Sequence, residues 1–166
     1  MHIRMTDKGH GRGKIALDVF LPYAQAYTAT TRDSKIYIAT DNGRVISQIH
    51  DVWPQSVVER IVYRKGTLRS QDKTAVFDVF AKDRHRTNTE ALVEIYAMSR
   101  CNFIVHGYSA MSEAAIYINY QRLHNHSVCL YQEDHMSVST FQSLVASASS
   151  SYTVVRAAIV ASESNK

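Results

Sequence analysis

Five short β-forming runs, at residues 2–5, 36–39, 57–63, 103–106 and 127–131, alternate with segments of helical period, and this alternation restricts the chain most. The runs are apolar on successive residues rather than on every second one, the pattern of strands buried on both faces. A strand covered on both sides and followed by a helix predicts a parallel sheet built from βαβ units. The fold class expected is therefore α/β.

Between the runs, Leu17, Phe20, Leu21, Ala24 and Tyr27 recur at helical spacing over residues 16–30, with Pro22 in the first turn or bending the helix. A shorter helix is expected over 43–51, ahead of Trp53 and Pro54. Residues 67–86 are charged and poorly periodic, which suggests an irregular excursion with one helical turn near Val76 to Phe80. From Thr87 or Asn88, either of which can cap, a helix is expected with Leu92, Ile95, Tyr96 and Ser99 on one face. Another is expected over 110–123, after the turn Gly107-Tyr108-Ser109. Residues 1–132 form the expected domain, and 133–166 a C-terminal helix, with Phe141, Leu144 and Val145 on its packed face, and a Ser-rich tail.

With 166 residues the chain suits one domain. No apolar run approaches the roughly 20 residues of a membrane-spanning helix, and the polar start shows no signal peptide. The net charge of +4 comes from dispersed cations, a balance that suits a small anionic ligand. Without an interleaved aromatic and basic module, nucleic acid is not the expected partner. Cys101 and Cys129 lie beside or within strands and read as buried free thiols, with a disulfide or metal pair as the alternative. Neither an Asp-x-Asp pair nor a His/Cys ligand spacing is present, so no metal is expected.

In an open parallel sheet, ligands lie beyond the carboxyl ends of the strands, where loops and helix N-termini converge. His2, Arg4, Asp7 and Lys8 follow the first run, Asp41 follows the second, and Ser109, Ala110 and Met111 follow the fourth. Ser-Ala-Met-Ser opening a helix offers backbone N–H groups and hydroxyls to a phosphate, although Ser109 serves equally as a plain N-cap. Arg4 adds a permanently charged, fork-shaped donor for a pyrophosphate, or else a surface ion pair with Asp7.

HIRMTDK at 2–8, IYIATDN at 36–42 and ALVEIYAMSRCNFIVHGYSAMSEAAIYI at 91–118 resemble, in order and approximate spacing, the α-1,6-fucosyltransferases and their protein O-fucosyltransferase relatives. The resemblance covers roughly residues 1–130 and is to the C-terminal, donor-binding half of that family, a Rossmann-like parallel sheet flanked by helices within a GT-B-type enzyme. It implies GDP-fucose as donor, a glycan or glycoprotein hydroxyl as acceptor, no metal, and an N-terminal partner domain. It assigns Arg4 to the β-phosphate, His2 and Glu94 to the guanine, Lys8 to the donor loop, the Ser109, Ala110 and Met111 turn to the phosphates, and Asp7 and Asp41 to loop support. Two departures stand out. Met5 occupies the position of a second arginine, and GHGRGK has no counterpart of the family's basic glutamate. His10 is the residue in that loop whose ordinary pKa suits a base, which makes it a candidate on chemistry alone. The alternative expectation is a non-catalytic or truncated nucleotide-sugar-binding module.

Overall fold

The computed structural model describes residues 1–6, 14–132 and 134–148. Asp7, Lys8 and His10 lie outside the described residues.

A four-stranded parallel sheet flanked by helices is consistent with a Rossmann-like α/β fold. Its strands are β1 (His2–Ile3), β3 (Ala39–Thr40), β5 (Ile104–His106) and β6 (Ser127–Cys129), in the order β3-β1-β5-β6. β2 (Ile36–Tyr37) pairs in parallel with β4 (Ile61–Val62) in a second, two-stranded sheet. The expected strand over 36–39 is thus shared between two sheets. Ile38 N–H donates to the Val62 carbonyl at 2.9 Å, and Ala39 N–H donates to the Met1 carbonyl at 3.0 Å. Residues 36–40 consequently join the sheets, and the spatial order runs β4, β2 with β3, β1, β5, β6. The chain moves outward from β1 in one direction, then returns to its other side at β5. That reversal is the topological switch, where an open α/β sheet leaves a crevice.

Helix α1 (Leu17–Thr30) buries Phe20, Tyr23, Ala24 and Ala26 against the sheet. Pro22 lies inside it, beyond the first turn, and cannot supply the N–H that the Asp18 carbonyl would otherwise accept. Helix α2 (Gly43–Val52) starts where the Asn42 side chain accepts the Arg44 N–H, and buries Val45 and Ile49. Residues 57–58, expected in a strand, instead end the short helix α3 (Gln55–Val58), because Pro54 opens a turn whose carbonyl accepts the Val57 and Val58 N–H groups. The single turn α4 (Val76–Val79) falls in the irregular excursion, as its composition suggests. Helix α5 (Arg84–Ser99) begins three residues ahead of Thr87, with Asp83 rather than Thr87 or Asn88 as its cap.

The expected 110–123 helix breaks at Asn119 into α6 (Ala110–Ile118) and α7 (Tyr120–Leu123). The Asn119 side chain turns back to donate to the Ser99 carbonyl at 2.7 Å, tying the break to the end of α5. Helix α8 covers residues 138–148. Its Phe141 and Val145 enter the main core with Ile3, Phe20, Ile38, Val105 and Val128, while Leu144 stays partly exposed. Phe141 meets Tyr23 and Phe103 edge-on, at centroid distances of 5.6 and 5.7 Å. The Tyr23 hydroxyl donates to the Met136 carbonyl at 2.8 Å, fixing the approach to α8. Cys101 and Cys129 are free and only half-buried, not buried as expected, since both stand near the ends of their elements.

Truncating Phe141, which is 2% exposed, removes an aromatic ring shared by α1, β5 and α8. Urea unfolding of Phe141→Ala is expected to show a loss of about 3–5 kcal/mol. A loss below about 1 kcal/mol contradicts the placement of α8 in the core.

Candidate functional site

The crevice at the switch holds a cavity of ≈ 260 Å³. Its floor comes from the ends of β1 and β3, through His2, Arg4, Ala39, Thr40 and Asp41. Ser109, Ala110 and Met111, at the start of α6, form a second part of the wall. α5 supplies Thr87, Glu90, Ala91 and Glu94, while Thr67, Leu68 and α4 complete the enclosure. The volume lies just below the roughly 300–1,000 Å³ of ordinary small-ligand pockets.

His2, Arg4, Asp41, Glu94, Ser109, Ala110 and Met111 therefore line one cavity, although they are spread over more than a hundred positions of sequence. Arg4 is brought there because β1 pairs on both sides, His2 lying between Ala39 and His106 in register. The residues that follow β1 are held by Asp41. Its carboxylate accepts Met5 N–H at 2.8 Å, Thr6 N–H at 3.2 Å and the Thr6 hydroxyl at 2.5 Å. Arg4 Nε stands 3.9 Å from the same carboxylate, with its side chain 38% exposed. Such a long, partly solvated ion pair contributes little to stability.

The start of α6 is arranged by its own hydroxyls. Ser109 Oγ accepts Met111 N–H at 3.3 Å, and the Ser112 hydroxyl donates to the Ser109 carbonyl at 3.0 Å. With the helix dipole positive at this end, the first turn attracts negative charge at the cavity wall. Gly107 precedes the turn because space is short there. A Cβ at this position would stand 2.9 Å from Ile15 Cδ1 and 3.0 Å from a Tyr131 ring carbon.

α5 presents the opposite chemistry. Its buried residues include Thr87, Glu90 and Glu94, whereas Leu92 and Tyr96, expected to pack, are more than half exposed. The helix is polar inward over Thr87, Glu90 and Glu94, where it faces the cavity, while Met98, with Ile95 beside it, packs in a second core with Ala39, Ile104, Ala115 and Leu123. Glu90 accepts Leu68 N–H at 2.5 Å and Arg86 Nε at 3.1 Å. Burial pushes its carboxyl upward, but these two donors outweigh burial and hold it below the usual carboxylate range. Glu94 differs. Burial dominates and pushes its carboxyl up, against the Tyr37 phenol, Arg69, Arg64 and Thr67 beside it. Its Oε2 is buried with no well-formed hydrogen bond among the described residues.

His2 is also buried, and its Nδ1 has no hydrogen-bond partner among the described residues. Burial, followed by the charges of His106, the chain's amino group and Arg4, lowers its pKa to about 3, so the ring is neutral. His106, its cross-strand neighbour, is lowered by burial as well, and its Nδ1 contacts the Gly107 carbonyl at 2.7 Å.

Sequence reasoning did not single out Thr6, Thr67, Leu68, Thr87 or Glu90 as site residues. Glu90 is exactly four positions before Glu94, hence on the same helical face, and that spacing could have revealed it. Leu68 carried no local signal, because a tertiary contact brings its loop to the cavity. Among the described residues no group of three or more His, Cys, Asp or Glu side chains is placed to hold a metal ion, and no helix is long and apolar enough to cross a membrane.

The neutral His2 ring makes stability depend on pH. The unfolded ring gains a proton near pH 6.5, the folded ring only near pH 3, so this contribution is complete above 6.5 and is lost as pH falls toward 3. His106 acts in the same direction. Urea midpoints should therefore fall between pH 7 and pH 5, less steeply in His2→Gln, and equal slopes contradict the buried neutral ring.

Comparison with protein-family models, curated proteins and solved structures gives no match to this chain.

Proposed function

We propose that the cavity binds a nucleotide sugar and that the chain acts as the donor-binding domain of a fucosyltransferase-like glycosyltransferase related to the GT-B type. The observation that carries this reading is the shared lining of a single cavity by Arg4, the Ser109 to Met111 turn and Glu94. A guanidinium and a helix N-terminus suit a diphosphate. A buried carboxylate at the cavity wall suits the N–H edge of a purine such as guanine. His2, a buried neutral ring, also lines the cavity.

In the proposed reaction the bond from the fucose anomeric carbon to the diphosphate oxygen breaks, and a bond to a glycan or protein hydroxyl forms. Negative charge grows on the departing GDP, where Arg4 and the first turn of α6 stabilise it without a metal. The acceptor's proton needs a base. His10 remains the chemical candidate, and Lys8 adds positive charge in the same stretch of sequence. Asp41 fastens Met5 and Thr6, directly after β1.

Met5 favours a second reading. A methionine beside Arg4, where the resembled enzymes carry another arginine, leaves a single guanidinium for the diphosphate, which fits a nucleotide-sugar-binding module without transferase activity.

Calorimetry tests both readings. GDP and GDP-fucose are expected to bind at micromolar Kd, unchanged by EDTA, with Arg4→Ala weakening binding roughly tenfold to a hundredfold, as for a lost charge-assisted hydrogen bond. Absence of GDP binding overturns the nucleotide-sugar reading. Fucose transfer to glycan acceptors separates the enzyme from the module.

A further inference from the structure

Behind Glu94, away from the cavity lining, Arg69 spans three elements. Its Nε donates to the Thr40 carbonyl at the end of β3, at 3.1 Å. Nη1 donates to the Arg64 carbonyl, also at 3.1 Å. Nη2 stands 3.8 Å from Glu94 Oε1, with both side chains less than a tenth exposed (8% and 5%). The guanidinium also lies over the Tyr63 ring, 5.9 Å from its centroid. Two backbone carbonyls and a ring thus fix its plane, and its remaining nitrogen faces one oxygen of Glu94. Glu94 lines the cavity, whereas Arg69 does not.

We infer that Arg69 is a positioning residue: its approach to Oε1 holds Glu94 at the cavity wall as a charged acceptor for the paired N–H donors of a guanine-type ring. The selectivity part of this inference rests on the proposed nucleotide reading, while the Arg69–Glu94 relation does not.

A charged carboxylate accepts at both oxygens, whereas a protonated one turns one oxygen into a donor and loses the match to adjacent ring N–H and amino groups. Burial favours the protonated form. The groups facing Glu94 are the Tyr37 phenol, Arg69, Arg64, the Thr67 hydroxyl at 3.5 Å and the chain's amino group. Of these, Arg69 approaches with a buried permanent charge on a guanidinium anchored by two further bonds. Tyr37 adds no positive charge, since a phenol is neutral when protonated, and burial and Glu94 raise its pKa further. Lysine at position 69 would keep the charge but lose the fork that reaches two carbonyls and Glu94 together.

The test uses the unliganded full chain with 13C-labelled glutamate, in which the Glu94 carboxyl is titrated by NMR, followed by calorimetry with GDP and IDP. IDP lacks only the exocyclic amino group. In the unsubstituted chain Glu94 should be ionised at pH 7. Arg69→Gln should move its titration upward, with Arg69→Lys between the two, and the preference for GDP over IDP should fall about tenfold, the size of one lost hydrogen bond to a charged group. A Glu94 carboxyl already protonated at pH 7 in the unsubstituted chain overturns the inference even if neither variant folds. An unchanged Glu94 titration in folded Arg69→Gln overturns it too. If the titration moves as expected but GDP fails to bind, the nucleotide reading and the selectivity fall, and the support of Glu94 by Arg69 stands.

Discussion

The Asp41 carboxylate is the contact on which the arrangement of this crevice depends. It leaves the end of β3 and binds the backbone of Met5 and Thr6 just after β1, so two neighbouring strands share one exit geometry. β1 itself is only two residues long, and hydrogen bonding to β3 and β5 holds it in the middle of the sheet. Without the carboxylate, three donors near the floor of the cavity, two backbone N–H groups and the Thr6 hydroxyl, would need new partners, a cost of about 1–3 kcal/mol for each one left buried and unpaired. Asp41 reaches further through its own carbonyl, which accepts the Ser70 N–H at 2.9 Å and pins the loop that carries Thr67 and Leu68 over the cavity. One residue thereby couples the strand ends to the lid-like loop and, through Leu68 and Glu90, to α5.

Arg4 and the first turn of α6 bring positive charge to the cavity, and α5 brings carboxylates. In the proposed reading, a ligand that carries an anionic group and a donor-rich ring satisfies both. The two carboxylates are not equivalent. Glu90 is bound by Leu68 and Arg86 and belongs to the scaffold, whereas Glu94 is buried beside the Tyr37 phenol, Thr67 and Arg69.

Much of the fold could be read from residues because buried parallel strands and amphipathic helices leave periodic marks. The α/β class, α1, α2 and the turn before α6 are marked in this way. Where the reading went astray, a local contact prevailed over periodicity: Pro54 drew residues 57–58 into a helical turn, and Asp83 capped α5 earlier than Thr87. The cavity disturbed the reading of α5 most. A helix that buries Glu90 and Glu94 while exposing Leu92 and Tyr96 departs from the usual rule, since that stretch of its inner face meets a crevice and only its end at Met98 meets a core. The site residues near strand ends were accessible from topology, because ligands gather there. Glu94 entered through family resemblance alone, and Thr67 and Leu68 depend on a loop whose path only the tertiary structure supplies.

The central claim is that the strand ends, the start of α6 and α5 serve one ligand. Two-dimensional 1H–15N NMR during a GDP titration tests it most directly. The account requires the amides of Ala110, Met111 and Leu68 and the Arg4 Nε–H to shift together along a single binding isotherm. Shifts restricted to one of these groups, or centred on the cleft formed by Lys14, Arg44 and Lys73 while the others stay still, contradict it.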